Sequence, residues 1–172
     1  MYVAAFTTSH ARLRLYKELE LLGEQVLYHD TDSIVYVSRP GNYEVPTGNM
    51  LGEWEDELHG EHMVNVWTSG GPKSYAYQLS DGSTTCKVKG FNLKRSDTAK
   101  LIHYNSMKGL VQDRYHQNVE RKIRTTQTMI KRVKTHALLK TEEQSKELRV
   151  QYTKGNVVVH RNNLVETFPF GY

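Results

Sequence analysis

The chain has 172 residues, of which 38% are hydrophobic, with a formal net charge of +4 and a pI near 9.1. This length can bury one moderate core or two small lobes. No run of about 20 apolar residues offers a membrane-spanning helix, residues 1–6 lack the features of a signal peptide, and the lone Cys86 can form no internal disulfide. These features argue against a membrane or disulfide-rich exported protein and predict a soluble, intracellular one.

The charge is unevenly distributed along the chain. Residues 1–72 hold four Lys and Arg against eleven Asp and Glu, a net −7, whereas residues 73–172 hold nineteen against eight, a net +11. An acidic part followed by a basic part fits a protein that holds metal ions beside nucleic-acid phosphates. A lysine-rich surface that only maintains solubility gives the same balance, so charge alone leaves both interpretations open.

The first predicted element is a helix over Ser9–Leu22. Thr8 or Ser9 can cap its start and Gly23 can end it. Its apolar residues recur at spacings of four, four and three, at Ala11, Leu15, Leu19 and Leu22. We expect this helix to cover one face of an antiparallel sheet, which is an α+β arrangement.

Two carboxylates follow, between two short apolar runs. Val26–Tyr28 and Ile34–Val37 predict the arms of a buried hairpin with Asp30 and Asp32 at its tip. In an extended segment, residues i and i+2 project to the same face, so the two acids would point together and Thr31 away. Such a pair suits Mg²⁺, and pairs of ions roughly 3.5–4 Å apart catalyse phosphoryl displacement. Asp, Thr and Ser are also ordinary turn residues, an alternative that needs no metal.

A second set of candidate residues lies in Gly70–Tyr77. Gly-Gly-Pro predicts a turn, and the alternation after it predicts a strand with Lys73, Tyr75 and Tyr77 on one face. Lysine can bind phosphate and the tyrosines can reach sugar or phosphate, so this face suits a DNA strand. The same pattern also occurs as an exposed cross-strand packing stripe.

Further charged and apolar elements follow. A turn at 80–83 and a returning strand over 84–90 would place Lys87 and Lys89 on a common face. Residues 96–117 predict one helix with an apolar stripe. The stripe consists of Leu101, Tyr104, Met107 and Val111.

The last part of the chain is strongly basic. Residues 119–136 carry six Lys or Arg against one acid, which predicts a thumb-like surface that follows duplex phosphates, with a solvated basic face as the alternative. The candidate phosphate-binding residues there are Arg121, Lys122 and Arg124. Residues 144–154 and 157–160 predict short strands joined at 155–156, and the aromatic tail, 167–172, is expected to pack against the body.

Several of these strings together resemble protein-primed family B DNA polymerases, particularly those of Maverick or Polinton transposons and their viral and linear-plasmid relatives. Tyr-His-Asp-Thr-Asp-Ser at 28–33 is similar to the family's Tyr-Gly-Asp-Thr-Asp-Ser motif, with His29 in place of glycine. Lys-Ser-Tyr at 73–75 is similar to the family's Lys-x-Tyr motif. Less specific strings at 51–53, 87–90 and 168–172 follow in the family's order.

The resemblance implies a DNA-directed DNA polymerase that transfers nucleotides to a primer 3′ hydroxyl. Asp30 and Asp32 would be catalytic metal ligands of a two-Mg²⁺ site that an aspartate absent from this chain completes. Lys73 and Tyr75 would bind the primer terminus. Tyr77, Lys87 and Lys89 would add to this DNA-binding surface. The implied partners are primer–template DNA, deoxynucleoside triphosphates and a terminal priming protein, within the nucleus if the host is eukaryotic.

The resemblance also implies an α+β fold in two parts. Residues 1–95 would form a partial palm, with an antiparallel sheet and packed helices, and residues 96–172 a small basic thumb-like β/α subdomain. The family's Asp-x-x-Ser-Leu-Tyr-Pro and Lys-x-x-x-Asn-Ser-x-Tyr-Gly motifs do not occur here, so we expect the isolated chain to be inactive.

Two other functions stay open. One is a non-catalytic nucleic-acid-binding remnant of such a polymerase. The other is a sugar-nucleotide transferase that uses Asp-x-Asp to hold a metal and a diphosphate, although the sequence shows no βαβ rhythm for a nucleotide-binding domain.

Overall fold

The computed structural model describes residues 2–58, 60, 63–132, 139–151, 155–160 and 165–169. It combines helices with antiparallel sheets, which confirms the predicted α+β class. The chain folds as two compact units, residues 1–61 and 62–172. The functional division into a palm and a thumb at residue 95 stays a prediction. Within the described ranges, no helix combines the length and the apolar character that crossing a membrane requires.

Unit 1, residues 1–61, contains one long helix and one hairpin. Helix α1 spans Tyr2–Leu22, and a single 3-10 turn, Gly23–Gln25, leads into the hairpin. Strand β1, Val26–Asp30, pairs antiparallel with β2, Ser33–Tyr36. The predicted hairpin pairing is therefore confirmed, but the hairpin is half-buried rather than buried, and Leu27 is 50% exposed. The side chains that α1 buries are Leu15, Glu18 and Leu22.

Helix α1 begins well before the predicted residue Ser9, and the predicted cap is wrong. The hydroxyls of Thr8 and Ser9 each donate to the carbonyl oxygen of Ala5 at 2.9 Å. A Ser or Thr hydroxyl that donates to a carbonyl oxygen of the preceding turn makes its hydrogen bond inside the helix. Such a hydroxyl does not cap the start of the helix. The end of the helix is as predicted, because Gly23 adopts a left-handed φ of 52°.

Unit 2, residues 62–172, contains a three-stranded antiparallel sheet, two helices and two antiparallel hairpins. In chain order these elements are β3 (Val64–Gly71), β4 (Ser74–Leu79), β5 (Thr84–Val88), α2 (Ser96–Leu101), α3 (Tyr104–His116), β6 (Ile123–Arg132), β7 (Leu139–Leu148), β8 (Gly155–Val159) and β9 (Val165–Pro169). Helix α3 packs against all three strands of the sheet. The core between them includes Ala76, Met107 and Leu110, which are almost completely buried.

The helix predicted over 96–117 is in fact two helices. Ile102 and His103 are extended, with ψ of 101° and 177°. The break turns Ile102 into the core, where it is 2% exposed, and leaves Leu101 46% exposed. A new helix start follows, because the His103 N–H donates to Ser106 Oγ at 2.9 Å. Burial of Ile102 and this cap together explain why one continuous stripe was the wrong prediction.

The strand pairing predicted near the C-terminus is also wrong. Strand β7 begins at Leu139 and pairs along its whole length with β6. Gly155 and Asn156 do not form a joining turn; they lie within β8, opposite residues of β9. The uninterrupted ten-residue register of β6 and β7 provides the hydrogen bonds that favour this pairing. The predictions that fall on 133–138, 152–154 and 170–172 lie outside the described residues.

Candidate metal and nucleic-acid sites

The two predicted metal ligands lie at the tip of the β1–β2 hairpin. Asp30 is the last residue of β1, is half-buried and pairs with Ser33 across the hairpin. Asp32 is exposed in the two-residue turn, where Thr31 has a left-handed φ of 43°. Because Asp32 lies in the turn, the alternation rule for extended segments does not apply to the two acids. The prediction placed them correctly at the tip, but its geometric reason was wrong.

Short polar contacts fix this turn. Thr31 Oγ1 donates to Asp30 Oδ1 at 3.0 Å, and Ser33 Oγ donates to the Asp30 carbonyl oxygen at 3.1 Å. The Asp32 N–H donates to that same carbonyl oxygen. Across the described part of the chain, no hydrogen bond or ion pair engages the Asp32 carboxylate. The turn therefore holds one carboxylate in place and presents the other to solvent.

The donor set at this tip suits Mg²⁺ with an incomplete protein shell. Carboxylate oxygens are the hard ligands that Mg²⁺ prefers, and the ion commonly keeps several waters while binding one or two carboxylates and substrate phosphates. No group of three His, Cys, Asp or Glu side chains with metal-binding geometry occurs in the described ranges. The two carboxylates at the tip match, in chemical type, the donors that Mg²⁺ prefers, and metal binding there stays a prediction.

In unit 2, the candidate Lys73 does not lie on a strand as predicted. Strand β4 begins at Ser74, and Lys73 occupies the preceding turn with a left-handed φ of 58°. Strand β5 ends at Val88, so Lys89 also lies beyond a strand end. The Lys89 N–H donates to the Lys73 carbonyl oxygen at 2.8 Å. The fold thus brings these two exposed lysines together through their backbones.

Two glycines allow this turn to pack closely. A Cβ on Gly70 would lie 2.9 Å from Met107 Sδ, and a Cβ on Gly71 would collide with the carbonyl oxygen of Gln151. Gly71 also has a φ of 127°, which L residues rarely adopt. The Gln151 N–H donates to the Gly70 carbonyl oxygen at 2.9 Å. Gly71 is therefore needed for the close approach of Gln151, and Gly70 for the close approach of Met107.

A cleft of about 440 Å³ opens beside the same turn. Its lining includes the basic residues Lys89 and Arg149 and the ring of Phe91. It also includes Glu147, whose carboxylate is engaged by neighbouring cations. The two cations attract anions to this concave surface, although Arg149 is already paired with Glu120 at 3.4 Å.

Tyr75 and Tyr77 lie together on the face of the sheet opposite α3. Strand register places Trp67 across from Tyr77 and Lys87 across from Tyr75, so all four share that face. The Trp67 ring stacks on Tyr75 with a centroid distance of 4.7 Å and on Tyr77 with 6.0 Å. Lys87 Nζ lies 5.8 Å from the centroid of the Tyr75 ring. These rings are half-buried and Lys87 is exposed.

The three basic candidates near β6 all have acidic neighbours. Arg121 pairs with Asp113 at 3.0 Å, whereas Arg124 and Lys122 pair with Glu147 at 2.6 and 3.8 Å. The hydrogen bond and charge of Arg124 hold the pKa of the Glu147 carboxyl below its ordinary value of 4.5. A phosphate approaching these three cations would compete with carboxylates. Whether Arg121, Lys122 and Arg124 contact DNA stays a prediction.

Sequence reasoning did not identify Trp67 as a site residue. The signal was present, because Val64, Val66 and Thr68 alternate with polar or aromatic residues and the Gly-Gly-Pro turn follows directly. Such a run before a turn indicates the first arm of a hairpin whose second arm carries Tyr75 and Tyr77. Trp67 points outward on that first arm and therefore lies beside Tyr75 and Tyr77.

The acidic and basic candidates belong to different units. Asp30 and Asp32 lie in unit 1, whereas the lysines and aromatic rings lie in unit 2. Comparison with protein-family models, curated proteins and solved structures gives no match. The residues of these sites and the sequence motifs are therefore the basis for inferring what this protein does.

Proposed function

We propose that this chain is part of a DNA-directed DNA polymerase and contributes a metal-binding hairpin and a primer-binding surface. The observation that carries the proposal is the β1–β2 tip, where Asp30 and Asp32 flank one turn residue within Tyr-His-Asp-Thr-Asp-Ser. This string resembles a catalytic motif of family B polymerases, and its position at the tip of a hairpin supports the proposal. The substrates would be primer–template DNA and deoxynucleoside triphosphates.

The two acids would have different tasks. The exposed carboxylate of Asp32 can bind a cation directly, and Asp30, fixed by Thr31 and the strand pairing, can share or orient that cation. When bound, Mg²⁺ would neutralise charge on the reacting phosphate and on the attacking and leaving oxygens. The protein's own contribution is a tight turn that fixes the Asp30 carboxylate before substrate arrives and keeps Asp32 beside it in the chain.

The Lys73 turn would hold the primer backbone in unit 2. Lys73 and Lys89 are exposed, and a backbone hydrogen bond joins them, so two lysines belong to one turn region that phosphates could approach. Tyr75 follows Lys73 at the start of β4 and offers a hydroxyl and an apolar ring. Neutralising phosphates with lysines makes binding strongly dependent on salt.

A second candidate function is nucleic-acid binding without catalysis. The aromatic and lysine-rich surface of unit 2 could bind nucleic acid without a metal. This surface favours the second candidate independently of the β1–β2 hairpin. The sugar-nucleotide transferase has less support, because every sheet in the described ranges is antiparallel and a βαβ unit needs parallel strands.

Binding of a dideoxy-terminated primer–template in the presence of Mg²⁺ separates these candidates. If the chain is a polymerase part, it binds this primer–template more tightly than a blunt duplex of equal length, because the metal site and the lysines meet the primer terminus. Asp32→Asn removes that difference, and the exposed Glu20→Gln, which changes charge equally within unit 1, leaves it intact. Equal affinity for the two DNAs, unaffected by Asp32→Asn, would contradict the polymerase proposal and favour non-catalytic binding.

A further inference from the structure

The outer face of the β3–β5 sheet carries three aromatic rings, which we call the aromatic platform: Trp67, Tyr75 and Tyr77. Strand alternation separates this face from the inner one, where Ala76 is fully buried against the core that includes Met107. The platform therefore lies on the solvent side of a sheet whose other side is already packed.

The rings of the platform are nearly parallel. The planes of Trp67 and Tyr77 differ by 11°, those of Tyr75 and Tyr77 by 19°, and those of Trp67 and Tyr75 by 27°. Stacking among themselves stabilises the sheet, and this alone could explain one pair. The three rings come from two strands and are half-buried, so part of each ring still contacts solvent. Clustered apolar surface of this kind is typical of binding sites.

The charge around the platform favours an anionic ligand. Lys87 lies over the edge of the platform, with Nζ 5.8 Å from the Tyr75 centroid. Residues 63–95, which include the whole sheet, contain five Lys or Arg and a single acid, Asp81. A neutral sugar would gain nothing from these cations, whereas a nucleic acid presents bases for the rings and phosphates for the lysines.

We propose that the aromatic platform stacks unpaired bases of single-stranded DNA while Lys87 contacts the adjacent phosphate. Bases within a duplex already stack on each other, so a platform of this kind selects unpaired nucleotides and tolerates any sequence. The inference rests on the proposed function for the choice of DNA as ligand. It requires neither Asp30 nor Asp32, and it assigns a ligand contact to Trp67.

Trp67 itself can report the contact. The chain has two tryptophans, so Trp54→Phe leaves Trp67 as the only indole. Titration with oligothymidylate should then quench Trp67 fluorescence, because a stacked base provides a direct quenching contact. An abasic oligonucleotide of equal length carries the same phosphates without bases, and it should bind roughly tenfold more weakly and cause no quenching.

Anisotropy of a labelled oligonucleotide provides a second test. Trp67→Ala should weaken oligothymidylate binding roughly tenfold and leave abasic binding unchanged. Tyr115→Ala, which removes an aromatic ring that is 63% exposed on α3, should change neither.

The outcomes distinguish the two proposals. If primer–template still binds but abasic DNA binds and quenches as well as oligothymidylate, the platform proposal is overturned and the polymerase proposal survives. Quenching by a neutral oligosaccharide but not by oligothymidylate also overturns the platform proposal. If neither primer–template nor single-stranded DNA binds, the proposed function itself is overturned.

Discussion

The close approach of segment 149–151 to the Lys73 turn makes Gly71→Ala a sensitive probe of unit 2. A Cβ at residue 71 would require a strained backbone, because φ is 127°, and it would also collide with the Gln151 carbonyl oxygen. Strain at one residue costs about 1–3 kcal/mol and overpacking costs a similar amount. We therefore expect Gly71→Ala to lower the free energy of unfolding of unit 2 by about 3 kcal/mol.

Gly82→Ala is the matched control. Gly82 also has a positive φ, of 85°, but a Cβ there would meet no atom within 4 Å. It should cost only the backbone strain, about 1 kcal/mol, and both substitutions reduce unfolded-state entropy equally. Urea unfolding followed by Trp67 fluorescence in the Trp54→Phe background measures the difference. If Gly71→Ala lowers the free energy of unfolding no more than Gly82→Ala does, Gln151 does not pack closely against this turn.

Three further predictions concern single contacts. Thr31→Asn should raise the free energy of unfolding of unit 1 by about 0.5 kcal/mol, because asparagine adopts left-handed φ more readily. An unchanged urea midpoint would show that the left-handed φ of Thr31 does not strain the turn. Since Arg124 lowers the pKa of Glu147, this pair stabilises the fold above pH 4.5 and the stabilisation is lost as pH falls further; Glu147→Gln should flatten the acid limb of the unfolding midpoint against pH. The hydrogen bond to Glu18 raises the pKa of Tyr43 above 10.0, so this hydrogen bond stabilises the fold below pH 10 and the stabilisation is lost at higher pH. Tyr43→Phe should remove the loss of stability at alkaline pH, as measured by thermal melts.

Local sequence signals predicted the elements that depend on neighbouring residues. The β1–β2 hairpin follows from apolar runs on either side of polar turn residues, and the end of α1 follows from Gly23. The position of the acids at the hairpin tip needed no tertiary information. The backbone conformation between the two acids was not predicted, because Thr31 adopts a left-handed conformation that sequence preferences for threonine do not favour.

Tertiary packing determined the features that the sequence did not predict. Ile102 is buried only because the helix breaks there, which a periodic apolar stripe cannot show. Strand β7 pairs with β6 rather than with the segment that follows it, since pairing register depends on residues far apart in sequence. The alignment of Trp67 with Tyr75 and Tyr77 likewise depends on β3 pairing with β4.

Cleavage of DNA by iron placed at the metal site would test the central claim most directly. Fe²⁺ would replace Mg²⁺ in a complex with end-labelled primer–template. Hydrogen peroxide is then added, the bound Fe²⁺ reduces it to hydroxide and a hydroxyl radical, and the radical cuts nearby nucleotides. The polymerase proposal predicts cuts concentrated at the primer 3′ end, lost in Asp32→Asn and in Asp30→Asn and kept in Glu20→Gln. Cuts distributed evenly along the DNA, or an unchanged pattern in both aspartate variants, would show that these carboxylates do not hold a metal beside a primer terminus.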